Sequence, residues 1–220
     1  MELYEVMRTT FAAREFTDDP VSDAVLQRMF ENARFAPSGG NRQGWKVLVV
    51  RDDATKAALV PMIEPTVQRY AAQVKAGEAP WNTINPTQLS EAEIAATPVP
   101  RGMVDTICRA PVLLLVFVDL SVVASFDSGL ERVGVISGAS IYPFAWNILL
   151  AARSEGYGGT MTTFIGNQED QLKALLNVPD KYAFAAMLPM GKPVKQLTRL
   201  TRKPVESFVV KERFDGEVLT

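Results

Sequence analysis

Phe35-Ala36-Pro37-Ser38-Gly39-Gly40-Asn41-Arg42-Gln43-Gly44-Trp45 stands between a helical pattern that ends near Arg34 and a strand pattern from Trp45 to Val50. Pro37 disfavours the α conformation at Ala36 and so stops the helix. Gly39 and Gly40 open backbone angles closed to other residues and allow a ligand close to the main chain. Ser38, Asn41 and Gln43 add hydroxyl and amide groups that donate or accept hydrogen bonds without carrying charge. A planar heterocycle with alternating donors and acceptors suits such a loop. An ordinary helix-to-strand turn uses the same residue types, so the loop alone leaves both readings open.

Upstream, Val25, Leu26, Met29, Phe30 and Ala33 recur at three- and four-residue spacing. That spacing predicts a helix over Asp23 to Arg34, capped by Ser22. Leu3 to Thr9 reads as a shorter first helix, followed by Thr9-Thr10-Phe11-Ala12-Ala13-Arg14-Glu15-Phe16-Thr17. Downstream, a helix is expected over Ala54 to Ala76, capped by Asp53 and interrupted or kinked at Pro61 and Pro65. Residues 77 to 103 differ in texture, with Pro80, Pro86, Pro98 and Pro100 around Trp81, Asn82 and Asn85, and a short helix opening at Ser90. Long irregular insertions of this kind serve as lids or binding loops. Trp81 is its candidate substrate contact, or equally its hydrophobic anchor.

Val112 to Val118 is a continuous apolar run that fits a central strand buried on both faces. Ser121 to Leu130 reads as loop and short helix. Val133 to Ala152 carries no charge between Arg132 and Arg153 and is long enough to span a bilayer. Gly134, Ser137, Gly138, Ser140, Pro143 and Asn147 make it only moderately apolar. It is expected to be a buried central or interface helix reaching Glu155, kinked at Pro143 or starting near Ile141. Gly156 is a natural helix terminator at the head of Gly156-Tyr157-Gly158-Gly159-Thr160-Met161-Thr162-Thr163-Phe164. A helix over Asn167 to Leu176 and a last core strand over Phe184 to Met190 follow. Then come the turn Gly191-Lys192-Pro193, the basic run Thr198-Arg199-Leu200-Thr201-Arg202-Lys203-Pro204-Val205-Glu206, and an expected edge strand over Ser207 to Lys211.

The chain of 220 residues contains no histidine. That removes Ser-His-Asp and Cys-His catalysis and most zinc sites, and no metal is expected. Any chemistry must come from other side chains or a borrowed cofactor. A single cysteine, Cys108, excludes an intramolecular disulfide and reads as a small buried residue in a reducing, cytoplasmic setting. A net charge of −2 gives no electrostatic case for nucleic acid or a membrane surface. Met1-Glu2-Leu3-Tyr4-Glu5 starts acidic without an apolar segment, so no secretory leader is expected. The length favours a single domain over 1–220, with a lid insertion at 77–103 and a C-terminal arm at 196–220.

Ala36-Pro37-Ser38-Gly39-Gly40-Asn41-Arg42-Gln43-Gly44-Trp45 resembles the signature loop of the nitroreductase family of flavoproteins, A-P-S-x-x-N-x-Q-P-W, with Gly44 at the usual proline. Residues 9–17 are similar to that family's N-terminal flavin motif, R-R-S-x-R-x-F or T-x-R-A-x-R, aligned on Arg14 and Phe16. Thr10 and Ala12 fit the second version. Phe11 stands where an arginine often meets the phosphate, and Arg8 is the candidate substitute. Residues 156–164 resemble the second flavin segment, and Gly191-Lys192-Pro193 the late L-G-x-P turn. The glycines of 156–159 follow a helix rather than opening one, so they are not a dinucleotide fingerprint.

The resemblance implies an α+β fold in three layers, an α-β-α sandwich with a mixed, mostly antiparallel sheet. It implies a homodimer with one FMN at each of two interface sites. Pro37, Ser38, Gly39, Asn41 and Gln43 then contact the isoalloxazine and ribityl chain across the interface. Arg14 stabilises the negative charge of reduced flavin at N1 and the adjacent C2 oxygen, which raises the reduction potential. Backbone amides of Gly158, Gly159 and Thr160 face flavin N5. Arg202, with Arg199, Lys203 and Arg8 as further candidates, meets the phosphate, whose geometry suits a planar guanidinium fork. The implied reaction takes a hydride from NADH or NADPH through N5 to a nitroaromatic, quinone or similar acceptor, with no side chain as acid or base. Two alternatives stay open: a specialised relative performing dehalogenation or flavin fragmentation, and a flavin-binding storage or sensor protein without turnover.

Overall fold

The computed structural model describes residues 1–219. The chain forms α1 (Leu3–Thr9), α2 (Asp23–Ala33), β1 (Trp45–Val50), α3 (Asp53–Lys75), α4 (Glu91–Ala95), α5 (Arg101–Cys108), β2 (Val112–Asp119), α6 (Tyr142–Ser154), β3 (Gly158–Gly159), α7 (Glu169–Leu176) and β4 (Tyr182–Gly191). The sheet runs β1-β2-β4-β3, and each neighbouring pair is antiparallel. A parallel bridge between Ala12 and Gly159 supplies the mixed component.

All eight residues of β2 are buried, as a central strand requires. Because successive side chains point to opposite faces, β2 feeds two cores. Val112, Leu114, Val116 and Val118 pack with Leu26 and Met29 of α2 and Phe144 and Ile148 of α6. Leu113, Leu115 and Phe117 pack with Leu59 and Ile63 of α3, Ile107 of α5 and Leu172 of α7. The result is the expected three layers. Each fully buried aliphatic or aromatic side chain here contributes about 1.5–3 kcal/mol relative to exposure, so the sheet is stabilised from both sides.

Several boundaries differ from expectation. α3 runs unbroken through Pro61 and Pro65. The two prolines lie one turn apart on the exposed stripe, so the Ala57 and Pro61 carbonyls that lose a donor face water. Its cap is Asp52, whose Oδ2 accepts from Thr55 N at 2.7 Å, not Asp53. Residues 133–140 are not helical except for a short 3-10 turn, and Val133, Val135 and Ile136 are exposed; α6 starts only at Tyr142, with Pro143 in its first turn. Among the described residues no helix is long and apolar enough to cross a membrane. α5 was not anticipated. The expected tail strand is absent: residues 205–207 form a 3-10 turn, and Val210 makes one isolated bridge to Val218.

The signature loop hangs between β1 and β2. Asp119 N donates to Gly44 O at 2.7 Å. A Cβ built on Gly44 would lie 2.7 Å from Val122 Cγ2, so the departure from proline matches a close approach of the neighbouring loop. Trp45 stacks on Phe144 with ring centroids 4.6 Å apart and fixes the loop's far end to α6. Asp119 accepts from Lys181 Nζ at 2.6 Å and from Ser121 Oγ at 2.5 Å and N at 2.9 Å. Lys181 and Ser121 hold its carboxyl at a pKa of about 2, against an ordinary 3.8.

A depressed carboxylate stabilises the fold fully above its unfolded pKa and loses that contribution as pH falls through the folded value. The Tm of the wild-type chain therefore drops between pH 4 and pH 2 partly through Asp119. Asp119→Asn is expected to lower Tm at pH 7 and to remove that part of the slope; an unchanged Tm-versus-pH curve contradicts the clamp. Gly44→Ala is expected to cost about 1–3 kcal/mol by overpacking. Adding Val122→Ala should recover much of it, measured by urea unfolding.

Candidate functional site

The N-terminal segment reaches the sheet through two glycines. Ala13 N donates to Gly159 O at 3.0 Å. A Cβ on Gly158 would lie 2.9 Å from Pro193 Cγ and 3.1 Å from Ala13 Cβ, and one on Gly159 would lie 2.7 Å from both Met190 Cγ and Pro189 O. These glycines let residues 12–14 lie flat on the sheet edge. Arg14 is thereby brought beside the strand continuation Thr160–Thr162.

Thr160 N donates to Pro189 O at 3.3 Å and Thr162 N to Met187 O at 3.0 Å. Alternate amides of an edge strand point to opposite sides, so the Met161 N–H points away from β4, toward the Arg14 side. Thr160 is a buried polar residue, and the Thr162 hydroxyl is buried without a hydrogen-bond partner. Arg14, Thr160, Met161, Thr162, Tyr70 and Met103 line one cavity of about 210 Å³. Arg14 holds itself loosely, with one bond from Nη1 to Ala12 O at 3.2 Å. An orphaned hydroxyl and an outward amide opposite a guanidinium fit the polar edge of a planar heterocycle. Neither Met161 nor Thr162 was singled out from the sequence; the alternation of Thr160 and Thr162 was the available signal.

A second concavity, of about 540 Å³, is lined by Tyr4, Met7, Arg8, Arg199, Leu200 and Arg202. Gln196 Nε2 donates to Thr9 O at 3.1 Å and ties the start of the tail to the end of α1. Three guanidinium groups around one concavity suit a phosphate, which each fork can meet with two parallel bonds. Lys203 is exposed and lies outside that lining. Thr10 is buried, and its hydroxyl donates to Val6 O at 2.7 Å, leaving a ligand only its lone pairs.

The loop 38–43 is built separately. Ser38 Oγ accepts from Gln43 N at 2.9 Å, Gly39 N donates to Ser140 Oγ at 3.1 Å, and Gln43 Nε2 donates to Asn41 Oδ1 at 3.1 Å. Gly40, Asn41 and Gln43 have φ of 62°, 53° and 50°. Two non-glycine residues in the left-handed region store backbone strain, a feature that concentrates at ligand clamps. Pro37, Gly39, Asn41 and Gln43 are exposed. No residue of this loop lines either cavity above. The single chain therefore brings Arg14 to Thr160 and Arg8 to Arg199 and Arg202, but leaves the loop apart from both.

Trp81 lies across Tyr70 from Arg14. It lines a further cavity with Thr66, Tyr70, Pro80, Phe164 and Asn167, and Tyr70 and Phe164 also border the Arg14 cavity.

Comparison with known proteins identifies the family. The chain is 28% identical over 212 residues to an iodotyrosine deiodinase from Nematostella vectensis, covering 95% of this chain and 74% of the relative. It is 30% identical over 191 residues to a 5,6-dimethylbenzimidazole synthase from Rhodobacter capsulatus, covering 87% and 83%. It is 29% identical over 201 residues to an NADH dehydrogenase from Thermus thermophilus, covering 90% and 89%. The fold superposes on an oxidised iodotyrosine deiodinase bound to FMN and 3-iodo-L-tyrosine with a TM-score of 0.68 at 23% identity, over 97% of this chain and 100% of the other. The model of the nitroreductase family matches residues 7–192. This chain belongs to the nitroreductase family.

Proposed function

We propose that the protein is an FMN-dependent oxidoreductase that draws on NADH or NADPH and reduces a nitroaromatic, quinone or similar acceptor. The observation that carries the reading is the cavity that Arg14 shares with Thr160, Met161 and Thr162, beside the unpartnered Thr162 hydroxyl and the outward amide of Met161. FMN, when bound, supplies the two-electron chemistry between donor and acceptor. The chain's own residues bind, orient and tune. Arg14 places a fixed positive charge beside the ring pocket, which favours the anionic reduced form and excludes a second cation. Thr160, Met161 and Thr162 offer a rigid polar edge because their alternate amides are locked to β4. Arg8, Arg199 and Arg202 hold the phosphate. Pro37, Ser38, Gly39, Asn41 and Gln43 complete the ring and ribityl contacts from a second copy, since one protomer keeps that loop apart. Gly158 and Gly159 act through packing that sets the position of Arg14.

Large exposed apolar side chains support the homodimer. Phe126 is 91% and Phe214 102% exposed, and Phe35, Val135, Trp146 and Phe208 are also open to solvent. Exposed apolar surface on this scale marks an interaction site. The lone thiol fits a cytoplasmic setting, and burial pushes the Cys108 pKa up, away from reactivity.

A specialised reaction is the second reading, favoured by the deiodinase and synthase relatives. Visible absorption separates the two. The purified protein should carry a flavin spectrum that bleaches within seconds to minutes on anaerobic NADH or NADPH. A flavin spectrum that persists with both donors, together with dithionite-supported loss of iodide from an iodophenol, favours the specialised reading. Arg14→Ala is expected to weaken FMN retention by roughly 10- to 100-fold, the scale of one charge-assisted hydrogen bond, or to lower the FMN potential. Unchanged retention and potential remove Arg14 from the site. Replacing Arg8, Arg199 and Arg202 together by alanine should weaken FMN but leave riboflavin binding nearly unaltered. Equal losses for both ligands contradict a phosphate role.

A further inference from the structure

The cavity between α3 and residues 80–81 has a volume of about 390 Å³ and is walled by the rings of Tyr70, Trp81 and Phe164. Tyr70 and Phe164 meet edge to face, with centroids 6.1 Å apart at 68°. Its polar lining is Thr66, Thr163, Asn167 and the Tyr70 hydroxyl, and none of its lining residues is charged. A charged ligand group would be desolvated there without a counter-charge, whereas an uncharged donor or acceptor would not.

Thr66 is the unusual member. It is buried, and its Oγ1 has no hydrogen-bond partner. Helical threonines commonly return that bond to the carbonyl four residues earlier. Thr9 of α1 and Thr106 of α5 both do so in this chain, to Glu5 O at 2.7 Å and Gly102 O at 2.7 Å. Thr66 leaves its hydroxyl unused beside the aromatic walls. The Thr66 Oγ1 is closed off from the cavity in its present rotamer; a threonine in a helix has two accessible χ1 wells, so a jump of about 120° turns the hydroxyl to a ligand without moving the backbone.

The Trp81 wall is set independently. Trp81 has φ of 52°, a conformation that an aromatic residue adopts only when its surroundings impose it. Its N–H donates to Gln73 Oε1 at 3.1 Å, and Gln73 is 3% exposed. Gln73 Nε2 donates to Glu78 Oε2 at 3.3 Å, and Glu78 in turn accepts from Thr87 Oγ1 at 2.6 Å and Gln88 N at 2.8 Å. The Arg69 guanidinium lies 5.1 Å from the Trp81 ring centroid on this same support, with its charge paired to Glu91 at 3.2 Å.

We propose that this cavity is a preformed slot for a planar aromatic ligand bearing an uncharged hydrogen-bonding substituent, and that Thr66 recognises the substituent. Gln73 is the positioning residue that holds the Trp81 wall. The slot's service as the acceptor's site rests on the flavin reading above, because Tyr70 and Phe164 border both cavities.

The test titrates p-cresol and toluene, which differ by the hydroxyl, into the purified protein by calorimetry, with and without FMN. The wild type should prefer p-cresol. Thr66→Val should weaken p-cresol by roughly 3- to 10-fold, the scale of one neutral hydrogen bond to a buried group, and leave toluene unchanged or tighter. Thr66→Ser, which keeps the hydroxyl, should restore the preference, and it separates recognition from general damage. Loss of both ligands in Trp81→Ala, with Tm maintained, places them in the slot. Failure of the wild type to bind either ligand, or an equal p-cresol affinity in Thr66→Val, overturns the proposal. Binding that persists but leaves the flavin absorbance unperturbed supports the slot and contradicts its place on the acceptor's route.

Discussion

Two glycines without room for a Cβ decide where the site is. Gly158 and Gly159 sit between β4 and the N-terminal segment at contact distances that no side chain permits. Because they are bare, Ala13 N reaches Gly159 O, and Arg14 follows into the cavity beside Thr160–Thr162. The same closeness leaves the edge strand's alternate amides pointing out from the sheet. Charge and donors are thus fixed to one rigid layer, itself held by the buried strands β2 and β4. A binding site built on strands keeps its geometry better than one built on loops alone, and in the proposed site the strained loop 38–43 is the component that a second copy would supply.

That division has a consequence for assembly. The Arg14 cavity lies among α3, α5 and residues 160–164, and the three-arginine concavity lies between α1 and the tail. The loop 38–43 belongs to the β1–β2 side, where Ser140, Asp119 and Val122 hold it. Its left-handed residues and unspent amide groups make sense against a ligand, yet no described cavity contains both halves. Two copies related by a two-fold axis would complete two sites at once, because whatever one lends the other also lends. The exposed apolar side chains of residues 126–136 and of the tail offer the surface for such pairing.

Much of the fold was legible in the sequence because periodicity is a local signal. The apolar run of β2 and the three-four spacing of α2 announced both element and layer, and the strand pattern from Trp45 to Val50 announced β1. What failed depended on surroundings. Pro61 and Pro65 do not break α3 because they fall together on its wet face, a fact fixed by which stripe packs. The uncharged run from Val133 is an α-helix only from Tyr142, close to the start near Ile141 that Pro143 suggested, because Val133, Val135 and Ile136 remain in solvent while Ile141 and Phe144 join the core. The tail around Val210 turns back on residues 217–219, with Lys211 N donating to Glu217 O and Leu219 N to Val209 O, instead of joining the sheet.

At the site, the resemblance pointed to Arg14, Thr160 and the cations Arg8, Arg199 and Arg202, and each group lines a common cavity. Gly158 and Gly159 lie where a Cβ would be crowded, so packing alone calls for glycine there. Lys203 lies apart. Thr66, Met161 and Thr162 were hidden, since an unpaired hydroxyl or a strand amide's direction is set by pairing and never by residue type.

Whether two copies build each FMN site is decided most directly by subunit complementation. Arg14→Ala and Asn41→Ala proteins, each impaired in FMN binding alone, are mixed, unfolded and refolded together. If the loop acts across the interface, every mixed dimer contains one intact site and one doubly altered site, and FMN binding returns in the mixture. If the loop and Arg14 serve the same site within one chain, mixing restores nothing, and the shared-site architecture is wrong.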